Sequence, residues 1–194
     1  MRIDDFISAA VTEPQRIVLR RVRTPSALAP GVASRPGGLA LTDLLSASTE
    51  VKEKTFRYGH VLGPGALRLA IETSCRQRGL VGLPLDLLAL VERVNGIHLW
   101  ADLDTGRAYE GLAPFEEWEP ARTKMYGPSA DRGLLDSRYI ALTYHQDGAS
   151  FVVVDVASGM YYLMDVAAPD DSCVVGRCVE DLLDWLWSHR IAPK

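Results

Sequence analysis

The residue spacings that could support chemistry are few, and each can be weighed on its own terms. Asp102-x-Asp104-x-Gly106 has the opening rhythm of a calcium loop. The next acidic or amide position is missing, however, and the twelfth place holds Ala113 where a bidentate Glu belongs. The segment therefore reads as a polar turn. Cys173 and Cys178 bracket Val-Val-Gly-Arg, and zinc would need about four ligands at closer spacing. Only Cys75 and four scattered histidines could complete such a set, so no metal is expected. His145 near Asp147 could orient an imidazole, but the nearby hydroxyls, Thr143 and Ser150, sit in no nucleophile elbow. Gly63-Pro64-Gly65 is not followed by the Lys-Ser/Thr of a phosphate loop. No catalytic residue and no cofactor is predicted.

Charge is more informative. The 194-residue chain has net charge −4, distributed unevenly. Residues 1–60 hold nine Lys/Arg against six Asp/Glu, and residues 61–194 hold twelve against nineteen. Phosphate binding is driven by cations, so an acidic main region argues against nucleic acid as its partner. It suits a basic partner instead, by electrostatic complementarity. The densest acidic stretch contains Asp102, Asp104, Glu110, Glu116, Glu117 and Glu119, opposed only by Arg107. Trp100, Tyr109, Phe115 and Trp118 are interleaved with these acids, and Asp165, Asp170 and Asp171 form a second acidic group. Two readings stay open. In one, Trp100, Tyr109 and Trp118 anchor a basic protein surface that the carboxylates steer. In the other, the aromatics are core and the acids a solvated rim. Arg16, Arg20, Arg21 and Arg23 form the one basic cluster; no aromatic interleaves with them for base stacking, and they read as a solvated face.

The elements that would position these residues follow from periodicity and breakers. Residues 1–12 predict a helix with Ile3, Phe6, Ile7 and Ala10 on one face, ended by Pro14. Gln15–Thr24 leans to strand. Residues 24–38 read as a loop, Leu39–Leu45 as a strand or helical turn, and 46–60 as polar and irregular. A helix is expected over Ala66–Gln77, stopped by Gly79. A second starts at Leu83-Pro84, with the proline in its first turn, and stops at Asn95-Gly96. Residues 97–144 read as strands and loops. Tyr139–Tyr144, Phe151–Val156 and Met160–Val166 predict an antiparallel meander with turns at Asp147-Gly148 and Ala157-Ser158-Gly159. Val179–Arg190 is an amphipathic helix. Helices, then a meander, then a helix argue α+β with a mainly antiparallel sheet, since β-α-β alternation is missing. Residues 1–60 read as an N-terminal extension to a domain of residues 61–194. The start, MRIDDF, lacks the charge and apolar run of a secretory signal, and three cysteines make no disulfide framework; both point to the cytoplasm.

This order of landmarks resembles the SUKH superfamily, the Smi/Knr-type domains with a bacterial toxin-immunity branch. The likeness rests on Leu83-Pro84, the helix to Asn95-Gly96, Phe115-Glu116-Glu117-Trp118, Tyr139-Ile140-Ala141-Leu142, Asp147-Gly148, Val153-Val154-Asp155 with Ser158-Gly159, and the helix Val179–Trp187. It covers roughly residues 63–190. It implies a non-enzymatic immunity protein that binds and neutralises a cognate toxin. The acidic charge suggests a basic, nuclease-like or other cytoplasm-acting effector. The fungal branch implies the alternative, a regulatory interaction module without a toxin partner.

Overall fold

A computed structural model describes residues 1–25, 49–105, 110–127, 138–143, 150–165, 167–190 and 193. The described residues form five α-helices and two antiparallel sheets, an α+β fold. The first sheet has strand order β1 (Arg16–Pro25), β2 (Thr49–Pro64), β3 (Val94–Asp102), β4 (Glu110–Leu112). The second runs β5 (Glu119–Pro120), β6 (Tyr139–Ala141), β7 (Ser150–Asp155), β8 (Tyr161–Asp165), β9 (Cys173–Gly176). A bridge between Leu112 and Thr143, with Ala113 N–H donating to the Leu142 carbonyl at 2.8 Å, stitches the two sheets together.

Helix α1 (Ile3–Thr12) buries Phe6 and Ala10, one turn apart, and carries Asp4 and Asp5 in the first turn, where the helix dipole favours acids. It stops at Glu13 because the residue before a proline avoids the helical region. Phe6 meets Trp187 edge to face at 5.6 Å, and the Met1 ammonium pairs with Asp184 at 2.6 Å. The N-terminus is thus packed on the last helix, α5 (Val179–His189). The expected boundary at residues 60 and 61 falls inside β2, a single strand paired along its length with β1 and β3.

Helices α2 (Arg68–Gln77) and α3 (Leu85–Arg93) lie between β2 and β3 in sequence. They are tied by a two-pronged ion pair, Arg68 Nε and Nη2 to the Glu92 carboxylate at 2.6 and 3.0 Å. Helix α3 buries Leu87, Leu88, Leu90 and Val91, the stripe expected from its spacing. These side chains join Phe6, Ile71, Val152, Val154, Leu182, Leu183 and Leu186 in the main core. A smaller core on the other face of the second sheet gathers Ala141, Phe151, Val153 and Met164 beneath Ala121 of helix α4 (Ala121–Tyr126). Covered on both faces, β7 reads as the unbroken apolar run Phe151–Val154, without alternation.

Several expectations are corrected. Residues 49–60 are strand: only Phe56, Tyr58, His60 and Leu62 turn inward at period two, and the outer half of β2 is exposed, which hid the alternation. Pro84 precedes α3 as its cap, with extended ψ of 142°, instead of occupying the first turn. Asn95-Gly96 does not stop α3, which ends at Arg93; both residues lie in β3. There β3 carries one residue more than β2 between the pairs Leu62–Ile97 and Pro64–Val94, and Gly96 at φ 95° absorbs the bulge. The stretch between Cys173 and Cys178 includes β9, and α4 lies where only strands and loops were expected. The three-strand meander itself is present as β6-β7-β8, and Gly159 takes the positive φ its hairpin requires. Residues 26–48, which held the expected loop and the Leu39–Leu45 element, and Asp147-Gly148 lie outside the described residues.

Candidate functional site

The acidic stretch resolves into a buried part and a displayed part. Trp100 is 3% exposed and Trp118 2% exposed, so neither ring stands on a surface as an anchor. This corrects the first of the two readings for those residues. The Trp118 indole N–H donates to the Ala113 carbonyl at 2.8 Å, an inward bond that satisfies its polar end. Asp102 is also buried, and its Oδ1 accepts the N–H groups of Asp104 and Thr105 at 2.9 and 3.3 Å, closing the polar turn predicted for that segment. Asp104 is engaged by the Arg57 guanidinium, with Nε at 3.1 Å, and this contact holds its carboxyl below the usual range. Glu119 faces Lys124 at 3.5 Å. Tyr109 lies outside the described residues, and of Glu110 and Asp170 only the backbone is described. Asp171 is exposed at the end of a short 3₁₀ turn, Pro169–Asp171.

The displayed part is Glu116-Glu117, on a 3₁₀ turn over Phe115–Glu117. Both side chains are exposed, yet the turn beneath them is held on two sides. Arg78, just past the end of α2, donates Nη1 to the carbonyls of Trp118 (2.6 Å) and Glu116 (3.0 Å), and Nη2 to that of Phe115 (2.6 Å). Asn95, carried by the β3 bulge, accepts the Phe115 N–H at Oδ1 (2.8 Å) and donates Nδ2 to the Glu116 carboxylate (2.9 Å). Phe115 is buried below. The turn is therefore held in one conformation by contacts within the chain. Beside it, a groove of about 240 Å³ is lined by Glu72, Cys75, Arg76, Leu80 and Val81. Val81 and, at the start of α3, Leu85 are 63% and 74% exposed. Burial pushes the Cys75 thiol up, with Arg78 opposing, which keeps it an unreactive thiol in the groove floor.

A second constellation escaped the sequence reading because its members come from four distant segments. His60 on β2, with a side chain 1% exposed, places Nε2 2.8 Å from Glu13 Oε2, while its Nδ1 accepts the Trp100 N–H at 3.1 Å. The proton must then sit on Nε2 and point at Glu13, giving a neutral imidazole. Arg190 reaches the same carboxylate at 3.3 Å and stacks on Trp187 at 3.7 Å. Burial raises the Glu13 carboxyl, but the bonds from His60 and Arg190 outweigh it and leave the group below its ordinary value. A His–carboxylate pair is the orienting half of a catalytic triad. Here both ring nitrogens are spent internally and the ring is enclosed by Trp100 and Trp187, so it locks the bulge at Trp100, where φ is 51°. The only sequence signal was His60 at inward parity in an unrecognised strand.

Among the described residues no group of three or more His, Cys, Asp or Glu could hold a metal ion, and no helix is long and apolar enough to cross a membrane. Cys173 is exposed and Cys178 half-buried at the start of α5. His145 and Asp147 lie outside the described residues. Comparison with protein-family models, curated proteins and solved structures finds no match to this chain.

Proposed function

We propose that this chain is a non-enzymatic binding protein of the SUKH type that neutralises a bacterial toxin by protein–protein contact in the cytoplasm. The observation that carries the reading is the Glu116-Glu117 turn, exposed at its carboxylates and fixed at its backbone by Arg78 and Asn95. Rigid display of like charge suits recognition of a basic surface: the acids steer encounter and a neighbouring apolar patch supplies affinity. Val81 and Leu85 take the anchoring role that Trp100 and Trp118, being buried, cannot fill. The order of landmarks described in the sequence supports the family, and the acidic charge supports a basic, nuclease-like or other cytoplasm-acting effector as partner.

The test is protection. Cells expressing the toxin encoded beside this gene should survive when the chain is co-expressed. Glu116→Lys with Glu117→Lys should weaken the purified complex at least tenfold, about 1.4 kcal/mol, and abolish survival. A complex indifferent to this double reversal overturns the reading of the site. If no neighbouring gene product is toxic and the chain instead binds several host proteins, the regulatory reading takes its place.

A further inference from the structure

Among the described residues, β1 is the outer strand of the first sheet. Its ladder with β2 runs without a shift from Arg16–Tyr58 to Pro25–Thr49, so the strand is long and regular. In an antiparallel pair of this kind, alternate residues of the outer strand turn their N–H and C=O groups away from the neighbour. Such an edge is a template for a further strand, and proteins ordinarily blunt it with charge, proline or a bulge. β1 has no bulge against β2, and its one proline, Pro25, lies at its end.

Register sorts the side chains onto two faces. One face pairs Ile17 with Arg57, Leu19 with Thr55, and Arg21 with Glu53. Ile17 is 72% exposed and Leu19 62% exposed, so two aliphatic side chains stand open on the edge strand. The charges around them are matched, Arg21 to Glu53 at 3.5 Å and Arg57 to Asp104. Covering Ile17 and Leu19 therefore leaves no isolated charge on that face.

The blunting device is arginine, and its spacing leaves one register open. Two copies that add edge to edge about a two-fold axis run antiparallel, with one residue of β1 facing its own counterpart on the axis. Residues equally far from it, on opposite sides, then face each other. Centred on Val18, Arg16 comes opposite Arg20. Centred on Arg20 or Arg21, that arginine comes opposite itself. Centred on Val22, Arg21 comes opposite Arg23. Like charges directly opposite destabilise a sheet. Centred on Leu19, no arginine faces an arginine: Leu19 faces Leu19, Ile17 faces Arg21, Val18 faces Arg20, and Arg16 faces Val22. This register also brings the exposed Ile17 and Leu19 of both copies onto one face of the seam, where the aliphatic stem of Arg21 can cover Ile17.

We propose that β1 is a dimer edge, at which two copies of this chain pair β1 with β1 in antiparallel sense, centred on Leu19, and join their four-stranded sheets into one. The occupant is a second copy because the pattern is self-complementary: the arginines that block the neighbouring registers all face aliphatic residues in this one. The inference does not depend on the toxin-binding reading, which uses the Glu116-Glu117 turn beyond β4.

The experiment is sedimentation velocity of the full chain over a dilution series. One strand edge buries less than a standard interface of about 1,600 Å², so the dimer should dissociate on dilution. Leu19→Glu and Leu19→Lys, at an exposed position and with the fold checked by circular dichroism, should each weaken self-association at least tenfold, since each sets like charges face to face on the axis. An equimolar mixture of the two variants should recover the dimer, because the axis then holds an opposite pair. Glu116→Lys with Glu117→Lys should leave self-association unchanged, which separates this proposal from the one above. A chain that stays monomeric at every concentration, single variants that associate like the parent, a mixture that fails to recover the dimer, or a dimer lost on reversing Glu116 and Glu117 would each overturn it.

Discussion

Replacing Arg78 with methionine tests whether the acidic turn is held from beneath. The guanidinium bonds three carbonyls of one short segment, at 2.6, 2.6 and 3.0 Å, and methionine keeps the aliphatic stem but none of the donors. Hydrogen bonds from a charged donor are worth about 1.5–3 kcal/mol each when broken in isolation. The site is only half-buried, so water can reach some of the freed carbonyls, and the three losses share one segment and do not add. The expected cost is therefore about 3 kcal/mol, near the value of one or two such bonds. In a domain of this size that lowers Tm by about 6–12 °C. Urea unfolding followed by tryptophan fluorescence is the assay, since Trp118 ends the clasped segment. Arg78→Lys keeps the charge but loses the planar fork, and should recover about half the loss. Combined with Asn95→Ala, which releases the same turn from its other side, the effects should fall short of additive. A loss under about 1 kcal/mol, or strict additivity with Asn95→Ala, would refute the bracing argument. Arg78→Met should also weaken partner binding although Glu116 and Glu117 are intact, because the turn must then be ordered on docking.

Burial holds His98 below the ordinary imidazole value, with Glu117 pulling weakly upward. The unfolded chain therefore takes up the proton first, and stability should decline as pH falls from about 6.5 through the lower folded-state value. His98→Gln should flatten that part of a denaturation-versus-pH profile. Glu13, depressed by His60 and Arg190, contributes stability that is lost at more acid pH, so Glu13→Gln should flatten the profile there instead. Asp86, in the first turn of α3, satisfies first-turn N–H groups of two helices, accepting Leu87 N–H at 2.9 Å and, across the fold, the Val179 N–H of α5 at 2.7 Å. Asp86→Ala should cost about 1–2 kcal/mol and Asp86→Asn much less, read from chemical denaturation. A side chain at Gly111 would place its Cβ 1.7 Å from the Ile97 carbonyl oxygen at φ 140°. Gly111→Ala should break the β3–β4 ladder, cost about 2 kcal/mol or more, and expose the neighbouring segment to proteolysis.

The elements that could be read from residues alone are those buried on one regular stripe. Phe6 and Ala10 mark α1, Leu87 and Val91 mark α3, and Leu182, Leu183 and Leu186 mark α5, all confirmed as buried. The β6-β7-β8 strands were legible because aromatic and aliphatic runs, Tyr139–Ala141, Phe151–Val154 and Tyr161–Met164, are set apart by turn-forming residues in the sequence. β2 was not, because its outer half is exposed on both faces and carries charges where alternation would otherwise appear. Asn95-Gly96 was misread because a left-handed residue serves a β-bulge as well as a helix end. Of the candidate site, the pair Glu116-Glu117 was named in advance. Its supports, Arg78 and Asn95, were not, since neither contact is local in sequence.

By itself, then, the sequence determined the α+β class, the apolar stripes and the signed charge of each region, because these depend on local propensity and composition. Tertiary structure alone decided that Trp100 and Trp118 point inward while Glu116 and Glu117 point out, and that Arg20 of β1 lies over Phe56 and Tyr58 of β2. It also brought Glu13, His60, Trp187 and Arg190 to one place. Which face a side chain occupies is set by strand register and by bulges that shift it, and register is a property of two paired segments that neither segment carries alone.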